Sequence, residues 1–389
     1  MNKALTIALS FPLLLTIIIP PVFLFILALF TSMKYRRYGV YGSLAASLKG
    51  KEAKCVTEVH VLEALKKKSF ADAVEVFLNT EIGSYLSERI ATITTFTDLE
   101  ENIWNYLSYD IAYIEKYLPE EALLLLKQYL VKYDLANIKQ VLRRITEKSI
   151  HPTKLVPLGL IYEQGLLKKL DEAASIDEIA DIAKIAGLYD YATLIEEYIK
   201  KFTTEANIKS VRSELEKKLD SMYYSKLLSL SLKLRGREQL LPCIGTYIDL
   251  LNLSIVVRGV LSKDQAGAAK NILDVTYILH HDVLKSMLES RSLDELVEKI
   301  ERTPYADAGR KIMEIFRLIG DVLLVEKVIL DYSMRRIKET VSTVLLTPAV
   351  LLHYLLAKEK EIRLVLLTFR VVGEKLPVEV YSKFLKEIR

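Results

Sequence analysis

The chain of 389 residues contains few of the residues that interrupt regular structure, with only 14 glycines and 10 prolines. Leucine, isoleucine, alanine, lysine and glutamate dominate instead, and these residues favour helices. No run of strand-like alternation and no Asn-Gly hairpin signal occurs. We therefore expect an all-α protein. Because 51% of the residues are hydrophobic, the chain can bury a large core, which argues against disorder.

Cysteine and net charge are also scarce. Cys55 and Cys243 lie far apart and form no Cys-x-x-Cys pair, which is typical of reduced thiols in a cytosolic domain. The formal net charge is +4, from 54 basic and 50 acidic residues. A charge this small and this evenly distributed argues against a nucleic-acid partner.

Sequence motifs of catalysis are missing as well. The chain has no phosphate-binding Gly-x-x-x-x-Gly-Lys-Ser/Thr loop, no Gly-x-Ser-x-Gly elbow and no His-Glu-x-x-His. His280 and His281 are adjacent, so on a helix their side chains point about 100° apart and cannot easily share a metal ion. We therefore expect no catalytic site, no cofactor, no metal and no small-molecule substrate.

The N-terminal segment, residues 1–33, is strongly apolar, and residues 4–33 contain no charge. Thirty helical residues would reach about 45 Å, more than a hydrocarbon core of about 30 Å. Lys34, Arg36 and Arg37 follow the segment, which predicts a transmembrane anchor with the rest of the chain on the cytosolic side. Two other interpretations stay open. Met33 is a plausible start codon, so the segment could be a mis-assigned start, or it could be a cleaved signal.

One helical pattern occurs three times. An acid at the first position is followed by an arginine nine residues later, with apolar residues at helical spacing between them. The first two copies also carry an asparagine three residues after the acid. The motif residues are Asp134, Asn137 and Arg143, then Asp249, Asn252 and Arg258, then Glu361 and Arg370.

A second motif precedes each copy, a helix that begins at Ser69, Ser175 or Ser292 and has acids in its first turn. The distances from serine to acid are 65, 74 and 69 residues. Two motifs in one order at similar separation indicate a tandem triplication with a period of about 110 residues, longer than the units of common helical repeats. We predict helical repeats at 34–150, 151–262 and 263–389, each a small bundle.

The charged motif residues are interpreted as structural or as interface residues. On one straight helix, positions nine residues apart face opposite ways, so Asp134 and Arg143 cannot form one site. We expect the acid to begin or cap a helix segment and the arginine to reach a neighbouring helix or bundle.

The order and spacing of these motifs resemble the C subunits of the archaeal and bacterial A/V-type rotary ATPases, whose eukaryotic counterpart is the d subunit of the vacuolar proton pump. The segments that carry the resemblance are residues 35–48, 68–85, 133–144, 249–258 and 361–385. The third copy has Leu364 in place of the asparagine. Members of this family normally lack an apolar segment like residues 1–33.

The resemblance implies a funnel-like collar and a non-catalytic rotor subunit. Such a protein lies on the cytoplasmic face of the membrane, between the proteolipid ring and the central stalk. It transmits torque between ATP synthesis or hydrolysis and the transport of protons or sodium ions. The alternative is a membrane-tethered helical scaffold or adaptor of unrelated function.

Overall fold

The computed structural model describes residues 22–23, 39–149, 154–319, 331–340, 347–375 and 378–379. The predicted membrane anchor lies almost entirely outside these residues. Every regular element in the described ranges is a helix, which confirms the all-α prediction. The helices are α1 (39–52), α2 (Glu58–Ala64), α3 (Phe70–Val76), α4 (Glu81–Ser87), the 3₁₀ turn Ile90–Thr92, α5 (Phe96–Glu115), α6 (Glu120–Glu147), α7 (Leu160–Glu163), α8 (Leu167–Glu172), α9 (Ile176–Ile185), α10 (Tyr189–Thr204), α11 (Ile208–Lys233), α12 (Arg237–Leu261), α13 (Gln265–Asn271), α14 (His281–Leu288), α15 (Leu293–Glu301), α16 (Ala306–Ile319), α17 (331–340) and α18 (Ala349–Glu374).

The three predicted serine caps are confirmed. In each case the serine hydroxyl accepts a hydrogen bond of 3.2 Å from the backbone amide three residues later, at the start of α3, α9 and α15. This contact satisfies one of the amides that the first turn of a helix leaves unpaired, and it contributes about 1 kcal/mol. The serines are Ser69, Ser175 and Ser292.

Four long helices of 25 to 28 residues form the frame of the fold. Helix α11 packs between α6 and α12, and α18 packs against α2, α3, α5 and α6. The contact of α18 with α3 includes two edge-to-face ring pairs, in which Phe369 lies 6.0 Å from Phe70 and 5.8 Å from Phe77. The C-terminal frame helix therefore lies among the N-terminal helices.

Buried apolar side chains form two clusters. The larger contains residues between Tyr41 and Ile248 together with Ile337 and the apolar face of α18, and the smaller contains residues between Leu250 and Tyr332. Each fully buried leucine or isoleucine contributes about 1.5–3 kcal/mol, so both clusters hold their helices together strongly. The predicted repeat boundaries near residues 150 and 262 stay predictions.

Among the described helices, Arg237–Leu261 is long and apolar enough to cross a membrane, and 67% of its most apolar window is buried inside the protein. Burial of this extent is typical of the core helix of a folded domain. Its buried face includes Leu250, Leu253 and Val257, the apolar positions of the second motif copy.

Candidate functional site

The motif acid of the first copy holds the start of another helix. Asp134 is fully buried in the middle of α6, and its carboxylate accepts hydrogen bonds of 2.9 Å from the backbone amides of Leu160 and Ile161. These are the first two residues of α7. Because free amides at a helix start carry partial positive charge, they stabilise a buried carboxylate.

Asn137, one turn further along α6, fixes the segment that leads to α7. Its side-chain oxygen accepts from the Val156 amide at 2.7 Å, and its side-chain nitrogen donates to the Val156 carbonyl at 2.9 Å. The side chain is fully buried. Asp134 and Asn137 together therefore bind the segment 156–161, and all four of their hydrogen bonds go to its backbone atoms.

The second copy repeats this arrangement with more donors. Asp249, fully buried in α12, accepts from the amides of Tyr277, Ile278 and Leu279 at 2.7–3.0 Å. The hydroxyl of Tyr305 donates a fourth hydrogen bond at 2.8 Å. These amides lie just before α14, so the acid again fixes the start of a short helix.

Asn252 has the same role as Asn137. Its oxygen accepts from the amide of Leu273 at 2.9 Å, and its nitrogen donates to the carbonyl of Val275 at 3.0 Å. In the sequence this asparagine was recognisable only as a residue that shares a face with the acid. Its hydrogen bonds to the backbone could not be read from the sequence, because the partners, Leu273 and Val275, lie 21 and 23 residues away.

The third copy binds the beginning of the chain. Glu361 in α18 is 1% exposed and accepts a 2.8 Å hydrogen bond from the backbone amide of Val56, just before α2. Leu364, in the asparagine position, is buried and has no side-chain amide to offer. The last motif copy therefore holds the connection before the first serine-capped helix.

In all three copies the bound amide lies at nearly the same sequence distance from the next serine cap. The bound amide precedes the next serine cap by 13 residues at Val56, 14 at Ile161 and 13 at Leu279. Each motif acid thus holds a segment that leads to a serine-capped helix, and the bound segments follow in cyclic order. The order of the motifs along the sequence does not predict that the third acid binds the segment before the first serine-capped helix.

The expectation that the acid begins a helix is wrong in one respect. All three acids lie inside long helices, and Asp134 belongs to α6, which starts fourteen residues earlier at Glu120. The helix continues through this position because apolar residues on both sides of it, such as Leu130 and Ile138, are buried in the core. Asp134 does cap a helix elsewhere in the fold, α7, whereas Asp249 and Glu361 bind amides in the segments just before α14 and α2.

The motif arginines do not share one role. Arg143 donates two hydrogen bonds to Glu216 on α11, at 2.5 and 2.9 Å, as expected of a contact with a neighbouring helix. Arg370 instead contacts Glu374 on its own helix at 3.2 Å, and Arg258 is exposed. The adjacent Arg144 carried no signal in the sequence pattern. It donates to the backbone carbonyl of Ala173 at 2.7 Å and contacts Asp171.

Around Glu361 lies a buried cluster of charged and phenolic groups, here called the clasp and defined as Lys51, Glu81, Tyr106, Asp110, Tyr354, Lys358 and Glu361. Lys358, 1% exposed, donates to Tyr106 at 2.6 Å and to Glu361 at 2.9 Å. Burial acts to lower the pKa of Lys358, but Glu361 and nearby anionic groups raise that pKa above its ordinary value. The lysine therefore stays charged inside the protein.

The rest of the clasp connects α18 to α1, α4 and α5. Asp110 accepts from Lys51 at 2.7 Å and from Tyr354 at 2.5 Å, and Lys51 also donates to Glu81 at 3.1 Å. Burial raises the pKa of Tyr354 far above its ordinary value, so its hydroxyl remains a donor. Charge-assisted hydrogen bonds of this kind are about twice as strong as neutral ones.

A second tie joins α18 to α6. Glu359 accepts from the hydroxyls of Tyr129 at 2.6 Å and Tyr133 at 3.2 Å, and it also contacts the ammonium group of Lys132. The ammonium nitrogen lies 3.7 Å from the centre of the Tyr129 ring, within range of a cation–π contact. Helix α18 is therefore held to α6 by this tie and to α5 by the clasp.

Next to the clasp is a cleft of about 980 Å³ between α2, α16, α17 and α18. Charges of both signs line it, and Lys360 forms ion pairs with Glu58 at 2.5 Å and with Asp331 at 3.4 Å. Within the described residues no three histidine, cysteine, aspartate or glutamate side chains are placed to hold a metal ion. His281 contacts the carbonyl of Leu273 at 3.0 Å.

Comparison with known proteins gives one family. The sequence profile of the ATP synthase (C/AC39) subunit family matches residues 44–383. The C subunit of the A-type ATP synthase from Pyrococcus horikoshii is 26% identical over 357 residues, which cover 90% of this chain and 92% of that protein. The Pyrococcus furiosus protein of the same name is 24% identical over 355 residues, 90% of this chain and 92% of that protein. The Methanocaldococcus jannaschii protein is 23% identical over 305 residues, 77% and 74% of the two chains.

Proposed function

The chain belongs to the ATP synthase (C/AC39) subunit family, and from this we propose that it is the rotor subunit that joins the central stalk to the membrane proteolipid ring. In this role the subunit catalyses no reaction itself. It carries torque between ATP synthesis or hydrolysis in the head and the movement of protons or sodium ions through the ring. The proposed location is the cytoplasmic face of the membrane.

The observation that supports this role best is the attachment of α18 to segments that lie more than 240 residues earlier in the chain. Here Glu361 binds the amide of Val56, 305 residues earlier, and Tyr354 binds Asp110, 244 residues earlier. A part that transmits torque must resist opening under load, and a closed body resists better than an open one.

The cyclic order of the acid contacts supports a collar of three repeated units. Each long motif helix holds the leading segment of the next unit, and α18 holds that of the first. Under this proposal the motif residues act structurally, by locking units to one another. The units correspond to residues 34–150, 151–262 and 263–389.

Purification from native membranes tests the function. A C-terminally tagged chain, extracted in mild detergent, should recover the proteolipid ring and the central-stalk proteins in fixed ratio. If the chain lies directly on the ring, a matched sample washed at high salt should still contain the proteolipid after the wash. Recovery of the chain without proteolipid and without stalk proteins would reject the rotor role in favour of a scaffold.

A further inference from the structure

The face of α18 that carries Glu359 also carries an arginine without an acidic partner. Arg363 lies four residues after Glu359, so the two side chains share a face of the helix. On α6, the ammonium group of Lys132 contacts Glu359. The hydroxyls of Tyr129 and Tyr133 donate hydrogen bonds to the same carboxylate. Glu359 is therefore fully engaged, and Arg363 forms no ion pair with any of the residues that the structure describes.

Two cations are thus matched by one carboxylate. The side chains of Lys132 and Glu359 are 22% and 10% exposed, so both groups have lost most of their hydration. Burial lowers the pKa of Lys132, and the nearby charge of Arg363 lowers it further. The guanidinium group of Arg363 is itself exposed. One positive charge is therefore left over, and it faces solvent.

The leftover charge lies beside matching positions of the three motif helices. Lys132, Tyr247 and Glu359 each come two residues before the motif acid of α6, α12 and α18. Two residues correspond to about 200° on a helix, so these side chains point away from the motif acids. Burial raises the pKa of Tyr247 and the charge of Arg363 opposes the shift, so Tyr247 is also close to Arg363. We call Lys132, Tyr247, Glu359 and Arg363 the arginine site.

We propose that the arginine site binds a carboxylate on an acidic segment of a partner protein. Arginine presents a planar fork of donors that matches a carboxylate, and such a pair is stronger than a neutral hydrogen bond. The partner's carboxylate supplies the counter-charge that Arg363 lacks, whereas a basic partner would be repelled and an apolar one would bury the guanidinium group unpaired. Because Arg363 is exposed, the site is open to a protein segment. The proposal rests on the proposed function in that the partner is sought within the same complex.

Zero-length cross-linking of the complex tests the contact. The full chain carrying Arg363→Lys keeps the positive charge and gains an amine, and it is purified with its partners from native membranes. A water-soluble carbodiimide activates carboxylates, and an amine in direct contact with an activated carboxylate forms an amide as the urea leaves. Arg370→Lys is the matched control, because Arg370 is exposed on the same helix but already pairs with Glu374 at 3.2 Å.

We expect the amine at position 363 to form an amide with an aspartate or glutamate of another protein, identified by mass spectrometry of the digested complex. The amine at position 370 should react with Glu374 of its own chain, which shows that the reagent works on an exposed face of α18. An amine at position 363 that reacts only with Glu359, or with no carboxylate, would overturn the proposal.

Removal of the charge gives an independent reading. Arg363→Gln should reduce several-fold the amount of the cross-linked partner that stays with the tagged chain during a wash at raised salt, and Arg370→Gln should not. The free Arg363→Gln chain should melt no lower than the natural chain, because the substitution removes a repulsion from Lys132. A lower melting temperature with full recovery of the partner would overturn the proposal, since Arg363 would then stabilise the fold.

The contact and the rotor role fail separately. If the ring and stalk proteins co-purify but position 363 is linked to none of them, the acidic contact is wrong and the rotor role stands. If position 363 is linked to an acidic segment of another protein while ring and stalk proteins are absent, the rotor role is wrong and the acidic contact stands.

Discussion

Glu361 accepts a 2.8 Å hydrogen bond from the backbone amide of Val56, and this contact joins the long helix α18 to the segment that leads into α2. The same carboxylate neutralises Lys358, which is almost completely buried. A charge in the interior is tolerated only when a partner and hydrogen bonds replace its water. The closure of the fold therefore depends on a small set of charged groups.

Glu361→Gln should destabilise the protein by about 3–5 kcal/mol, because it leaves the Lys358 ammonium buried without its counter-charge. Chemical denaturation measures the loss. Glu374→Gln is the control, since Glu374 forms only an exposed pair with Arg370 and should cost less than about 0.5 kcal/mol. The double variant Lys358→Met, Glu361→Gln removes the buried ammonium and keeps an acceptor for the Val56 amide, so it should recover most of the loss; failure to recover would show that the charge pair is not the cause.

Gly159→Ala should be far more costly than Gly165→Ala. Both glycines have positive φ, of +97° and +70°. A methyl group at 159 would come within 2.4 Å of the Asp134 carboxylate, whereas nothing lies within 4 Å at 165. Backbone strain costs about 1 kcal/mol at 165, whereas Gly159, with φ +97° and ψ −179°, lies in a region that is almost restricted to glycine, and the clash should add about 2 kcal/mol or more there. Equal thermal shifts in the two variants would contradict this packing.

Asp134 should make stability depend on pH in an unusual direction. Burial raises the pKa of its carboxyl to about 7, although the amides of Ile161 and Leu160 oppose the shift. The folded chain then holds a proton that the unfolded chain releases above about pH 4. Stability from this group is therefore full at low pH and is lost as pH rises towards 7, by up to about 4 kcal/mol.

The check for Asp134 is a comparison of unfolding free energies at pH 5 and pH 8. The difference between the two pH values should be smaller in Asp134→Asn than in the natural chain, because the variant cannot titrate there. Identical pH profiles for Asp134→Asn and the natural chain would reject the raised pKa.

Asp249→Ala should lower stability by about 3 kcal/mol while leaving ATP turnover unchanged in complexes that still assemble. The variant strands three backbone amides and the hydroxyl of Tyr305, and each unpaired group is costly. Tyr305→Phe removes one of the four donors and should cost only about 1 kcal/mol. Melting curves and ATP hydrolysis of the purified complex measure both. Loss of turnover at full assembly and unchanged melting would mean that Asp249 has a direct chemical role.

Much of the local structure was predictable. The serine-started helices and the helical content follow from short-range rules, because caps and amphipathic spacing act within one or two turns. The expectation that the motif arginines reach a neighbouring helix describes Arg143 and not Arg370, which contacts Glu374 on its own helix. The expectation for the position of the motif acid failed, because a buried acid can find its hydrogen-bond donors in a distant part of the chain. Asp134 was expected to start a helix since acids favour that position, yet it lies inside α6, where a helix start from another part of the chain supplies its donors.

The sequence by itself determined that this protein is all helical and that its acid motif occurs three times, since composition and spacing are properties of the chain alone. It also carried the family resemblance, through the order of the motifs. Only the tertiary structure decided what the motif acids bind. Their partners are backbone amides 26 to 305 residues away, and a backbone amide has no sequence signature. For the same reason the attachment of α18 to the beginning of the chain became visible only in the fold, where burial forces Lys358 and Glu361 to satisfy each other.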